Sequence, residues 1–199
     1  MSKKFILHMI TPEGNLSPFD VNMAIDAGYE AVIPYTGVQI EDVSTLVQDA
    51  IFSRSPEGVK HTGIFIGGRS IDTAMEMLQI TKDSMVPPFE VSAFADPSGA
   101  YTTSAAMVAC SQNYLQSKYS SDLKEKRIIA LGGTGPVGII AAILGAQNKA
   151  KVTIVSSSSL ERSQSAAKKY GEKYAIPIDA SDIVEDSKGS SKEKLQKLL

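Results

Sequence analysis

The chain has 199 residues but only one cysteine and two histidines. It also lacks any apolar run long enough to cross a bilayer. A single thiol, Cys110, can form no intramolecular disulfide; its apolar surroundings predict a buried structural role. His8 and His61 have no partner at metal-ligand spacing, and one cysteine allows no C-x-x-C, so no metal site is expected. Neither sign of charge dominates. Twenty Lys and Arg against 22 Asp and Glu give a net −2, with no sign of the surface a nucleic acid or membrane would need. No G-x-S-x-G turn and no P-loop follows an expected strand. Met1-Ser-Lys-Lys leads into a short strand-like run and not into a secretory leader. These absences predict a protein of the reducing cytoplasm.

What is present is ordinary globular composition, 43% hydrophobic and 21% charged. Short apolar runs predict strands at residues 3–10, 30–35, 62–66, 90–95, 127–131 and 151–155, with another near 175–178. Helical segments are expected at 19–27, 41–53, 71–81, 100–118 and 139–147, and from about 160. Ser17-Pro18 has the form of an N-cap and first helical position, and Gly28 that of a helix stop. Strands alternating with helices predict an α/β fold with parallel sheets. The expected division is an N-terminal α/β substrate lobe at 1–100, a connecting helix at 101–122 and a nucleotide-binding lobe at 123–199. A cleft between the lobes is the expected ligand site. The second lobe falls short of the roughly six strands of a complete dinucleotide fold. It is therefore expected to be incomplete, with 182–199 polar and carrying no strand, only a terminal amphipathic helix.

The most informative stretch is Leu131-Gly-Gly-Thr-Gly-Pro-Val-Gly138. Gly133, Gly135 and Gly138 give G-x-G-x-x-G between an apolar strand and an apolar helix, the context dinucleotide binding needs. Gly133 is expected to make the tight turn, Gly135 to let the backbone approach a pyrophosphate, and Gly138 to let helix and strand pack closely. The pyrophosphate is expected to rest on the helix N-terminus. The next strand ends in Ser156-Ser157-Ser158-Ser159, with Arg162 shortly after and no carboxylate at the strand end. Hydroxyls and a guanidinium suit a 2′-phosphate, so Ser156, Ser157 and Arg162 point to NADP, with NAD as the alternative. Capping of the next helix by the same serines is compatible with that role.

Asp20 stands at the start of the first helix, and Asp96-Pro-Ser-Gly-Ala-Tyr-Thr-Thr103 follows the fourth strand. Carboxyl ends of parallel strands carry ligand sites, so Asp20, Asp96, Thr102 and Thr103 are the candidate catalytic residues. They would suit a substrate rich in amide and amine groups. By residue chemistry alone, Asp96 reads as a turn residue before Pro97, and the threonines as caps of the long helix. Gly67-Gly68 is a second glycine turn without the full spacing, and reads as plain helix entry.

These segments together resemble the NAD(P)-dependent methylene-tetrahydromethanopterin dehydrogenases of methylotrophic bacteria. The resemblance rests on Met1-Ser-Lys-Lys, Pro18-Phe-Asp-Val21, Ile64-Phe-Ile-Gly-Gly68, Asp96-Pro-Ser-Gly-Ala-Tyr-Thr-Thr-Ser-Ala-Ala106 and the glycine stretch, from residue 1 to about 180. It implies a substrate lobe followed by a Rossmann lobe, and hydride transfer from methylene-tetrahydromethanopterin to NADP⁺ or NAD⁺. It implies a tetrahydromethanopterin-type one-carbon carrier as partner, contacted by Asp20 and the Asp96–Thr103 segment, and a homo-oligomer. It also implies that Thr134, Pro136 and Val137, with the glycines, line the cofactor. Members of that family are longer, so the chain is expected to be truncated at its C-terminus. A methylene-tetrahydrofolate dehydrogenase, with or without cyclohydrolase activity, is the second reading. The folate enzymes of this fold carry Tyr-x-x-x-Lys in the first lobe, whereas here Tyr35 is followed four residues later by Gln39. A truncated, non-catalytic binding module is the third.

Overall fold

A computed structural model describes residues 4–184 and 189–198. Its contacts divide the chain into two units, Met1–Ser98 and Gly99–Leu199. The first contains β1 (Ile6–Ile10), α1 (Pro18–Asp26), β2 (Ala31–Tyr35), α2 (Val43–Phe52), α3 (Pro56–Val59), β3 (Thr62–Ile66), α4 (Ile71–Asp83) and β4 (Ser92–Ala95). The second contains α5 (Ala100–Tyr119), β5 (Arg127–Leu131), α6 (Pro136–Gln147), β6 (Lys151–Ser156), α7 (Leu160–Tyr174), β7 (Asp179–Asp182) and α8 (Ser191–Leu198). Residue 3, where the first strand was expected to begin, lies outside the described residues. So do residues 185–188 and 199 of the expected polar tail.

In the first unit all strands run parallel in the order β2-β1-β3-β4. Side chains alternate along a strand, and here both faces are covered. Ile10, Ile64 and Ile66 pack with Val43, Val47 and Ile51 of α2 and with Ala74 and Met77 of α4. Leu7 and Met9 turn the other way, onto Ala24 of α1 with Val21, Val32 and Phe65. α1 ends where expected, with Gly28 at φ +99°, a conformation open to glycine.

His8 is half-buried, and its Nδ1 lies 3.0 Å from the Tyr35 hydroxyl. Burial, and secondarily the Arg54 charge, hold its pKa below the usual 6.5. A histidine with a lowered folded pKa contributes stability that is present above its unfolded pKa of about 6.5 and lost as pH falls toward the folded value. We therefore expect wild type to lose more melting temperature than His8→Phe between about pH 7 and pH 5. Parallel losses in the two proteins would refute this.

The second unit's sheet is also parallel, in the order β5-β6-β7. This is the order of one mononucleotide-binding half of a dinucleotide fold. α6 is apolar all round because it is enclosed, with Ile139, Ile140, Ala142, Ile143 and Ala146 buried. A Cβ on Gly145 would stand 2.7 Å from Ile128 Cδ1, so glycine lets α6 lie close on β5.

Three expectations need correction. The third strand of this unit is Asp179–Asp182, not residues 175–178, and so reaches into the tail expected to carry none. The connecting helix is α5, which packs along α6 as part of the second unit. Cys110 is exposed because α5 buries only Ala100 and Ser104. A four-residue helix, α3, was not anticipated; Ser55 caps it by accepting from the Gly58 N–H. Among the described residues no helix is long and apolar enough to cross a membrane.

Candidate functional site

The first unit presents its site where the strand order reverses. The chain runs from β1 to β2 on one side, then crosses to β3 on the other side of β1. Crevices at the carboxyl ends of such neighbouring strands are the usual ligand sites of open α/β sheets. Here β1 leads into Thr11-Pro12 and β3 into Gly67-Gly68. Gly68 has φ +115°, and an added Cβ would stand 3.2 Å from the Pro12 ring. The Gly67 N–H donates to the Ile10 carbonyl at 2.9 Å, extending the ladder into the turn.

Two acids converge on this turn. Asp20, in the first turn of α1, places Oδ2 3.5 Å from where a Cβ on Gly67 would be. Asp96 is 7% exposed, and its N–H donates to the Ile66 carbonyl at 3.1 Å, beside Gly67. A helix N-terminus favours a carboxylate, yet the Asp20 carboxyl is held above its usual range, by burial first and by the Asp96 charge second. The structure thus brings Asp20 and Asp96 together and adds Gly67-Gly68, which by sequence reads as plain helix entry. Its signal was the pair of glycines directly after a strand.

After Asp96 the backbone is strained. Ser98 (φ 55°) and Gly99 (φ 64°) are both left-handed, unusual for serine. Ser98 Oγ donates to the Gly68 carbonyl at 3.1 Å, which ties the two turns of the first unit together. Gly99, and neither threonine, is the N-cap of α5. Thr102 and Thr103 lie within its first turns, exposed, with the Thr102 hydroxyl 3.5 Å from the Gly99 carbonyl.

In the second unit the glycine turn has a division of labour that differs in one place from expectation. Gly132, not Gly133, carries the left-handed backbone, at φ +67°. Gly133 is needed for close approach, since a Cβ there would meet the Ala130 carbonyl at 2.6 Å and Ile154 Cβ at 2.7 Å. Gly138 is packed as tightly, 2.7 Å from both the Gly132 carbonyl and Gly133 Cα. Gly135 is the N-cap of α6; an added Cβ would find only the Gly132 carbonyl, at 3.4 Å. Thr134, Pro136 and Val137 are half-buried around it.

The donors at this end of α6 can be counted. Pro136 has no N–H, and the helical ladder begins with Ile139 N–H donating to the Gly135 carbonyl at 2.9 Å. The Val137 and Gly138 N–H groups precede it and are available to an anion. An open Gly135 above two such donors fits a pyrophosphate.

The serine tract divides as well. Ser156 is buried, and its Oγ accepts from the Ser158 and Ser159 N–H groups at 3.1 and 3.2 Å. Its hydroxyl is occupied by the turn it holds. Ser159 caps α7 by accepting from the Arg162 N–H at 3.2 Å. Ser157 and Arg162 are exposed, and among the described residues the Arg162 guanidinium has no partner. No three His, Cys, Asp or Glu side chains among the described residues gather to hold a metal ion.

Residues 18–98, a range that includes both acids, match the family described as methylene-tetrahydromethanopterin dehydrogenase, N-terminal. The chain is 48% identical over 177 residues to the NAD(P)-dependent methylenetetrahydromethanopterin dehydrogenase of Methylorubrum extorquens, covering 89% of this chain and 60% of that protein. It is 29% identical over 187 residues to the Bifunctional protein MdtA of the same organism, covering 94% of this chain and 63% of that one. The chain thus spans about three-fifths of the length of these curated relatives.

Proposed function

We propose, from its 48% identity to the NAD(P)-dependent methylenetetrahydromethanopterin dehydrogenase of Methylorubrum extorquens, that the chain acts as an oxidoreductase. The proposed reaction is hydride transfer between methylene-tetrahydromethanopterin and NADP⁺, with NAD⁺ as the alternative acceptor. The observation that carries the reading is the 48% identity over 177 residues, 89% of this chain. We further propose a cytoplasmic homo-oligomer, on the family resemblance and the unpaired exposed thiol.

When bound, the nicotinamide supplies the hydride acceptor. The chain's own residues bind and orient. The Val137 and Gly138 N–H groups hold the pyrophosphate, with Gly135 leaving it room and Thr134 and Pro136 shaping the turn. Ser157 and Arg162 take the 2′-phosphate through charge-assisted donors; Ser156 holds the loop that presents them. Asp20 and Asp96 accept from the amine and amide N–H groups of a pterin; Thr102 and Thr103, in the second unit, offer exposed hydroxyls as candidate ligand contacts of their own. Hydride transfer between two bound partners requires alignment above all, and alignment is what fixed polar contacts provide.

The test is absorbance of reduced nicotinamide when methylene-tetrahydromethanopterin is added to the chain with NADP⁺. Reduction is the expected result; its absence would overturn the proposed catalysis. Arg162→Ala is expected to weaken NADP⁺ binding by about 1–3 kcal/mol and leave NAD⁺ unchanged. Equal losses for both cofactors would remove Arg162 from the 2′-phosphate.

A further inference from the structure

Ser104 is 0% exposed, on the face of α5 that meets α6. A buried hydroxyl is costly unless it is hydrogen-bonded. Its Oγ donates to the Val137 carbonyl at 2.8 Å. That carbonyl shares a peptide group with the Gly138 N–H, one of the two α6 donors that precede the helical ladder. Packing alone does not call for the oxygen. Ala100, one turn earlier in α5, is equally buried and needs none.

We infer that Ser104 is a positioning residue for the cofactor pyrophosphate, acting through the Val137–Gly138 peptide. The inference rests on the dinucleotide reading proposed above. A peptide group is planar, so a bond that fixes its oxygen also fixes the direction of its N–H. A hydrogen bond accepted at the carbonyl also polarises the amide, and linked hydrogen bonds strengthen one another. Ser104 therefore aims the Gly138 N–H and makes it a better donor to an anion. The serine of the Thr102-Thr103-Ser104 run thereby belongs to the cofactor turn.

The matched control is Ser163, also 0% exposed and in the same unit. Its hydroxyl lies 2.8 and 2.7 Å from the Leu160 and Ser181 carbonyls, within donating reach of either, and makes no hydrogen bond to the glycine turn. Binding of NADP⁺ and of NAD⁺ to the full chain is measured by calorimetry for wild type, Ser104→Ala and Ser163→Ala. Both variants lose a buried hydroxyl and are expected to melt earlier than wild type. Only Ser104→Ala should bind more weakly, by roughly three- to tenfold. The factor should be the same for NADP⁺ and NAD⁺, because both carry the pyrophosphate. Wild-type affinity in Ser104→Ala, or an equal loss in Ser163→Ala, would overturn the inference. A loss confined to NADP⁺ would also overturn it, since the effect would then lie at the 2′-phosphate. No binding by wild type would overturn the dinucleotide reading itself, and this inference with it.

Discussion

Gly135→Ala is expected to fold normally and to bind NADP⁺ at least about tenfold more weakly than wild type. Gly133→Ala and Gly138→Ala are expected to fail earlier, in stability. The difference lies in what each added methyl meets. At Gly133 it would sit 2.6 Å from the Ala130 carbonyl and 2.7 Å from Ile154 Cβ, and at Gly138 2.7 Å from two backbone atoms. Backbone cannot step aside as a side-chain tip can. Overpacking of this kind costs about 1–3 kcal/mol, and each kcal/mol lowers the melting temperature of a unit this size by about 4–8 °C. At Gly135 the backbone is extended (φ −85°, ψ 164°), as alanine can be, and the nearest atom is 3.4 Å away. Stability should change by less than about 1 kcal/mol, the scale of an N-cap exchange. The methyl would instead project where a pyrophosphate must approach the Val137 and Gly138 N–H groups. Thermal melts with cofactor titrations separate the two classes. Wild-type affinity in a stable Gly135→Ala would mean that no phosphate uses this turn.

This contrast also marks what the sequence could say. G-x-G-x-x-G is legible because sterics fix its spacing, and the structure finds close approach at Gly133 and Gly138. The tight turn expected at Gly133 takes its left-handed backbone one position earlier. Spacing records which glycines recur, whereas the sign of φ depends on how the chain leaves β5, and that falls to Gly132. The strand expected at residues 175–178 covers the apolar Ile176 and Ile178. The chain pairs Asp179–Asp182 with β6 instead, as an edge strand that needs no apolar face on both sides. The apolar neighbours of Cys110 predict burial, yet α5 buries only Ala100 and Ser104 and leaves the thiol exposed. The role of Gly67-Gly68 could not be read at all. It follows from the order β2-β1-β3-β4, which brings the ends of β1 and β3 side by side. Strand order is a property of pairing between distant segments, and local pattern carries no record of it.

The acids at that crossing lead to the second large effect. Asp20→Asn is expected to raise stability at neutral pH and, on the proposed function, to lower kcat/KM for a methylene-pterin by roughly ten- to a hundredfold, the scale of losing a hydrogen bond to a charged group. Burial and the neighbouring Asp96 charge hold the Asp20 carboxyl above its usual range. An acid with a raised folded pKa contributes stability that is fully present below its unfolded pKa of about 3.9 and lost as pH rises through the folded value. At neutral pH, ionised Asp20 is therefore a net cost to folding. Asparagine has the same shape without the charge, so its gain should appear near pH 7 and vanish in acid, where both side chains are neutral. The repulsion between the two carboxylates is a cost at neutral pH, and a ligand bringing amine and amide donors relieves it as its N–H groups bind. The same logic predicts that the pterin tightens most where Asp20 is ionised. If Asp20→Asn instead lowered the neutral-pH melting temperature, Asp20 would be holding the turn itself, and its place against the pterin would fall.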